Sequence, residues 1–222
     1  MSIDIDLSNV SFCILGVKAS GKSTLANIIL SDCADNALYY DTLGESPRNA
    51  TYNYYIPKDR YSVSELEMVI SKITPQKGQS VESFTPPYAL FIIDECNRFC
   101  PPKPHPLPYR IADLNDQNRH YLMSVGYVAR RPSQLNSDLI ELANYLFIFR
   151  LTGKNDLIYL DSTVKGLADA VRQLEKYEFV LVYPDKHFQI CNALKANKEW
   201  LKRSDNIRQD IKIPYYTKTL DN

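Results

Sequence analysis

Nine consecutive residues carry the clearest chemistry in the chain: Gly16-Val17-Lys18-Ala19-Ser20-Gly21-Lys22-Ser23-Thr24. They lie between an apolar run, Phe12 to Leu15, and a run with helical spacing, Leu25 to Leu30. The pattern G-x-x-x-x-G-K-S, at the end of a strand and the start of a helix, is what a phosphate chain requires. Its glycines let the backbone wrap the phosphates, and the free amides of the helix start point at them. Lys22 would reach the β and γ oxygens, and the Ser23 hydroxyl would bind Mg²⁺. A chance glycine turn before a helix is the bland alternative, and strand, loop and helix standing in order argue against it. The motif implies a nucleoside triphosphate, and leaves open what its energy drives.

A second acidic element follows about seventy residues later. Tyr88 to Ile93 reads as a strand buried on both faces of a parallel sheet, and it delivers Asp94-Glu95 at its carboxyl end. Ligands of open α/β sheets bind at that end. Asp94 is placed to accept from Mg²⁺ waters or the Ser23 shell. Glu95 is a candidate general base that polarises the attacking water. Asp41, directly after a strand over Ala37 to Tyr40, faces the same edge, either to hold a water on the metal or to cap the turn.

These groups need a scaffold, and the rest of the chain reads as one. The helix after the phosphate loop spans Lys22 to about Cys33, and residues 1–9 form a polar lead-in that packs on an edge. Tyr52 to Ile56 suggests a short strand. Ser62 with Glu65 predicts a capping box on an amphipathic helix carrying Leu66, Val69, Ile70 and Ile73. Five prolines between Pro101 and Pro108 impose a stiff extended loop, either a spacer or an insert that meets a partner. A polar helix over 110–121 and a strand over Met123 to Ala129 lead into Arg130-Arg131-Pro132-Ser133. Ser133 is expected to cap a helix lined by Leu135, Leu139 and Leu142. Tyr145 to Phe149 is a further buried strand ending at Arg150, Asp156 to Leu160 a short β segment, and Ser162 to Lys176 an amphipathic helix. Phe179 to Tyr183 and Phe188 to Cys191 form a closing hairpin around Pro184-Asp185. No internal repeat is visible.

Composition sets bounds. The 222 residues suit one domain with an appendage, and 45% apolar residues mark a globular chain. Lys plus Arg and Asp plus Glu are both 26, so no strong net field advertises a nucleic-acid partner, although a ring can concentrate positive charge on its channel wall. The five cysteines contain one close pair, Cys96 and Cys100, and no second pair to complete a zinc set; buried free thiols of a reducing compartment are expected. No apolar stretch approaches the length of a transmembrane segment, and no signal peptide is apparent.

Together these blocks resemble the FtsK/HerA superfamily of DNA-pumping ATPases, and within it the genome-packaging ATPases of membrane-containing icosahedral viruses. The resemblance covers residues 10–151 and rests on Asn118-Arg119-His120-Tyr121, then Val125 to Ser133, then Asn144 to Leu151. It implies an α/β fold: a RecA/FtsK-like P-loop NTPase three-layer sandwich with a central, mostly parallel sheet. Residues 1–194 would form the ATPase domain, and 195–222 a charged C-terminal helix and tail packed on it or on a neighbour. The implied activity is ATP hydrolysis with Mg²⁺, in a homo-oligomeric, hexameric ring that moves double-stranded DNA into a preformed capsid. Capsid and packaging-vertex proteins would be its partners, and the virion vertex and host cytoplasm its locations. Arg119 is the first candidate for an arginine acting in the neighbour's site and Arg150 the second. One position departs from the family: Arg130 stands where a glutamine contacts the γ-phosphate or its water, and Gln134 could substitute only if the helix start folds back. The alternatives are a phage extrusion ATPase, which normally carries a membrane anchor not seen here; a monomeric P-loop kinase or GTPase switch; and a nucleotide-binding subunit without turnover. Thr152 to Asp156 has the wrong spacing for guanine recognition, and the proline loop is a poor kinase lid.

Overall fold

Along each strand successive side chains point to opposite faces, and this sorts the apolar residues into two cores. In the computed structural model, which describes residues 5–47, 49–76 and 78–194, β1 (Ser11–Leu15) sends Cys13 and Leu15 to one face and Phe12 and Ile14 to the other. β2 (Ala37–Tyr40), β3 (Asn53–Tyr55), β4 (Leu90–Ile93), β5 (Ser124–Ala129), β6 (Tyr145–Phe149), β7 (Phe179–Val182) and β8 (Phe188–Cys191) join it. The eight strands run in the order β3-β2-β4-β5-β1-β6-β7-β8. The first six in that order pair in parallel, and β7 and β8 add antiparallel as the expected hairpin. The mostly parallel sheet explains why β4 and β6 are unbroken apolar runs.

Among the described residues the two faces are covered unequally. α1 (Lys22–Cys33) is the one helix among the described residues that packs into the Phe12 core, through Leu25, Ala26, Ile29 and Leu30. Large side chains, Phe147, Phe149, Phe179 and Leu181, fill much of that layer, with Ile5 and Leu7 of the lead-in against it. An apolar cavity of 540 Å³ remains beside Leu25, Ile28, Ile29, Phe147 and Phe179. The other face is covered by α2 (Val63–Ile73), α3 (Tyr109–Gln117), α4 (Ser137–Glu141), α5 (Lys154–Thr163) and α6 (Leu167–Gln173).

Several local expectations are corrected. Residues 156–160 are helical, within α5: Leu157 and Leu160 share a buried face while Ile158 is exposed, a spacing of three that the β-branched and aromatic content of the run obscured. The expected single helix is broken: α5 stops at Thr163, and Gly166, with φ of 84°, is the N-cap from which α6 begins, although Leu167, Val171 and Leu174 are buried as expected. Ser133 caps no helix; Asn136 does, accepting from the Asp138 amide, and Leu142 lies exposed. Ser62 accepts from Glu65 N as a capping box requires, but the Glu65 carboxylate turns to Tyr55 Oη and the amides of Lys58 and Asp59. The proline loop is fastened to its own domain by Lys103–Asp138 at 2.6 Å and by Asn136 Nδ2 to the Pro101 and His105 carbonyls, as a spacer would be. All five cysteines are free. The expected C-terminal helix and tail, 195–222, lie outside the described residues.

Candidate active site

Strand register brings the chemistry together. Leu15 pairs with Ala129, and Ile93 with Tyr127, so the segments leaving β1, β5 and β4 emerge side by side at the carboxyl edge. Gly16 opens the phosphate loop there, Asp94-Glu95 follow β4, and Arg130-Arg131 follow β5.

The loop is shaped by what its glycines lack. A Cβ on Gly16 would stand 2.7 Å from Phe149 Cβ and 2.8 Å from Ser20 Oγ. Gly21 has φ of 114°, and a Cβ there would meet the Phe149 ring at 2.9 Å. Gly21 is also the N-cap of α1; among the described residues no side chain bonds the first amides of the helix, and its first turn holds no acidic residue. Those amides and the positive end of the helix dipole remain for an anion. Ser20 Oγ is buried without a hydrogen-bond partner among the described residues, a cost that a phosphate oxygen would remove. Lys22, 8% exposed, donates from Nζ to the Val17 carbonyl at 2.9 Å. Burial lowers its pKa, Glu95 and Asp94 oppose the shift, and Arg130 adds to it. Val17, Lys18, Ala19 and Ser23 are exposed, and Thr24 is half-buried.

Asp94 is buried, and its carboxyl is pushed up to about 7, first by burial and then by Glu95 and Asp41. A divalent cation beside it would favour the charged form again. Asp41 is fully buried and accepts from the amides of Gly44, Glu45 and Ser46 at 2.8–3.0 Å, so it caps the turn. Glu95 adopts a left-handed backbone, φ 49°, at the start of a short turn over Cys96–Arg98. A non-glycine residue pays about 1–2 kcal/mol for that conformation. There Arg130 Nε lies 2.9 Å from both Glu95 carboxylate oxygens. Arg98 Nε lies 3.9 Å from Oε2, its guanidinium resting 4.8 Å over the Tyr61 ring.

The segment after β5 is pinned by one buried acid. Asp156, on the first turn of α5, takes Arg131 Nε at 2.8 Å on one oxygen. Its other oxygen accepts from Ser133 N at 3.2 Å and Ser133 Oγ at 2.6 Å. Gln134 is exposed in the short turn over Pro132–Gln134, so the residue that meets Glu95 is Arg130.

The remaining arginines diverge. Arg150 is exposed directly after Phe149, whose Cβ and ring pack on Gly16 and Gly21, so it stands at the loop's own edge. Arg119 is exposed in the turn after α3, at the opposite edge, with the length of β5, about 17 Å, in between. It cannot serve its own phosphate loop. Sequence reasoning missed Arg98 and Asp156. Asp156 could have been noticed as a lone acid in an apolar run, but nothing in the sequence names its partners.

No family model matches the chain, and no curated protein matches it in sequence. Solved structures do share its fold. The genome packaging NTPase B204 from Sulfolobus turreted icosahedral virus 2, in complex with AMPPCP, aligns with a TM-score of 0.65 at 16% identity, over 84% of this chain and 98% of that one. The pCW3 conjugation coupling protein TcpA, in its monomer form with ATPγS, gives 0.54 at 14% identity, over 82% and 59%. The N-terminal domain of zonular occludens toxin from Neisseria meningitidis gives 0.50 at 11%, over 88% and 99%. The mostly parallel sheet flanked by helices is therefore the P-loop NTPase fold expected from the sequence, and its structural neighbours include a viral genome-packaging NTPase.

Proposed function

We propose that the chain is an ATPase that works as a homo-oligomeric ring, a hexamer, and drives double-stranded DNA into a viral capsid. The observation that carries the ATPase reading is the convergence of Lys22, Asp94 and Glu95 at one sheet edge beside open helix amides. Fold likeness to B204 over nearly its whole length supports the packaging role. Loop amides and Lys22 hold the phosphates, leaving the γ-phosphorus open to a water on the far side from ADP. Glu95 accepts that water's proton as its oxygen bonds to phosphorus and the bond to ADP breaks, giving ADP and phosphate. Ser23 and Asp94 would hold Mg²⁺, which would offset the negative charge of the phosphate oxygens. Among the described residues no three His, Cys, Asp or Glu side chains form a metal site by themselves.

Arg119, remote from its own loop and exposed, supplies a guanidinium to the neighbour's γ-phosphate, which makes turnover conditional on assembly. Capsid or vertex proteins dock the ring, in the virion and the host cytoplasm. The deciding experiment is ATPase rate against protein concentration, with and without long double-stranded DNA. Specific activity that rises with both is expected; flat specific activity would favour a monomeric kinase or switch. Arg119→Ala should keep nucleotide binding and lose turnover by about 10³-fold. Mixing it with Glu95→Gln subunits should restore activity, and mixed rings that stay inactive would count against action in trans. Likeness to the zonular occludens toxin domain keeps phage extrusion as a second reading. DNA stimulation of the soluble ring separates the two.

A further inference from the structure

The 540 Å³ cavity beside α1 is walled by Ile28 and Ile29 of that helix, Phe147 of β6, Phe179 of β7 and Leu7 of the lead-in. Leu194, the last described residue, lines it too, so the chain enters residues 195–222 from the cavity itself. Ile28 and Leu7 are only half-buried there, which leaves apolar surface to water in a pocket of the size that takes a drug-sized molecule. Among the described residues Asp32, exposed in the last turn of α1, is the one charged group lining it. The cavity therefore suits an occupant that is apolar in the middle and basic at its margin.

We propose that residues 195–207 dock on their own domain, with Trp200 seated in this cavity. The sequence past Leu194 has the chemistry the cavity asks for. Ala193, Ala196, Trp200 and Ile207 recur at the spacing of one helical face, and Lys195, Lys198 and Lys202 fall on the other. Those cations carry the charge opposite to that of Asp32. Trp200, the only tryptophan of the chain, follows Leu194 by six residues. A stretch of that length spans at most about 20 Å when extended and about 9 Å when helical. The ring is thus tethered within reach of the cavity, at an effective concentration that favours it over a separate molecule. Docking would add a second cover to the face on which α1 is the one described helix, and brace α1 away from the lysine and serine of its first turn. The interaction stands apart from the ATPase reading and does not depend on it.

Because Trp200 is alone, its own emission reports the answer. In the intact chain that emission should lie to the blue of the urea-denatured chain and resist quenching by acrylamide. Ile28→Lys sets a cation on the cavity wall, one turn before Asp32, where it repels Lys195 and Lys198. This variant, checked for folding by thermal melting, should bring emission and quenching close to the denatured values. Trp200→Ala should lower Tm by roughly 3–12 °C, because a buried ring is lost; an unchanged Tm overturns the proposal. Native emission as red and as freely quenched as in urea overturns it as well. So does blue emission that Ile28→Lys leaves untouched, since the ring would then be buried elsewhere. Blue emission that disappears on dilution to the monomer, followed by sedimentation, would seat a second copy's segment in the cavity and rules out docking within one chain. Should Ile28→Lys not fold, Leu7→Lys in the lead-in replaces it with the same expectation.

Discussion

Gly16 to Thr24 and Arg130 to Gln134 leave adjacent strands at the same sheet edge, yet they are held in shape by different means. The phosphate loop is a backbone object. Its path depends on missing side chains at Gly16 and Gly21, which let its backbone lie against Phe149, and on the first turn of α1. The segment after β5 is held by side chains from distant parts of the chain: Glu95, 35 positions away, and Asp156, 25 positions from Arg131. A site built from backbone gives a constant grip on phosphates. One built from ion pairs can change partners.

That contrast can be broken by experiment. The largest effect is expected in the loop: Lys22→Ala should reduce ATP hydrolysis at least about 100-fold, because one preorganised charge on the transferring group is lost. Normal turnover in that variant would remove the loop from the mechanism. Asp156→Ala should act through the other segment. Losing three hydrogen bonds to a buried carboxylate should cost about 2–3 kcal/mol and lower Tm by roughly 4–12 °C, while ADP affinity, governed by the loop, stays within about twofold. A parallel collapse of ADP binding would show that the two regions are not separate.

A smaller effect concerns pH. Burial pushes the Asp94 carboxyl up to about 7, so it is protonated below that pH, and a Mg²⁺ ion held there would have to displace a proton. Affinity for Mg²⁺ should fall about tenfold from pH 8 to pH 6, read by calorimetric titration, and Asp94→Asn should abolish the dependence. The stability linkage has the opposite sense. Because the folded value is raised above 3.8, the metal-free fold loses stability as pH rises from about 4 to about 7 and changes little above.

Which parts were legible in the sequence follows the same division. α1, β2 and β6 carry their signals locally, in apolar residues at helical or strand spacing, and the sequence reading places their bounds correctly. Asp94 and Glu95 were legible because a buried parallel strand ends directly before them. The role of Ser133 was not, because it looks like a cap until Asp156 is found beside it in space. Asp156 was misread with its helix, since Leu157-Ile158-Tyr159-Leu160 has strand-like composition and only burial reveals its helical face. Arg130 could be seen to replace an amide at the strand end, but its hold on Glu95 depends on the register of β4 against β5 and on the left-handed turn at Glu95.

The uneven covering of the sheet has a kinetic meaning. α1 supplies the loop's lysine and serine at its first turn and much of the Phe12 core along its length, beside an apolar cavity. Phosphate contacts at one end of the helix therefore restrain the whole layer, and its opening should become rarer by the free energy of binding. Amide hydrogen exchange would register this as slowed exchange along α1 when Mg²⁺-ATPγS is added, with α2 and α3 on the opposite face nearly unchanged.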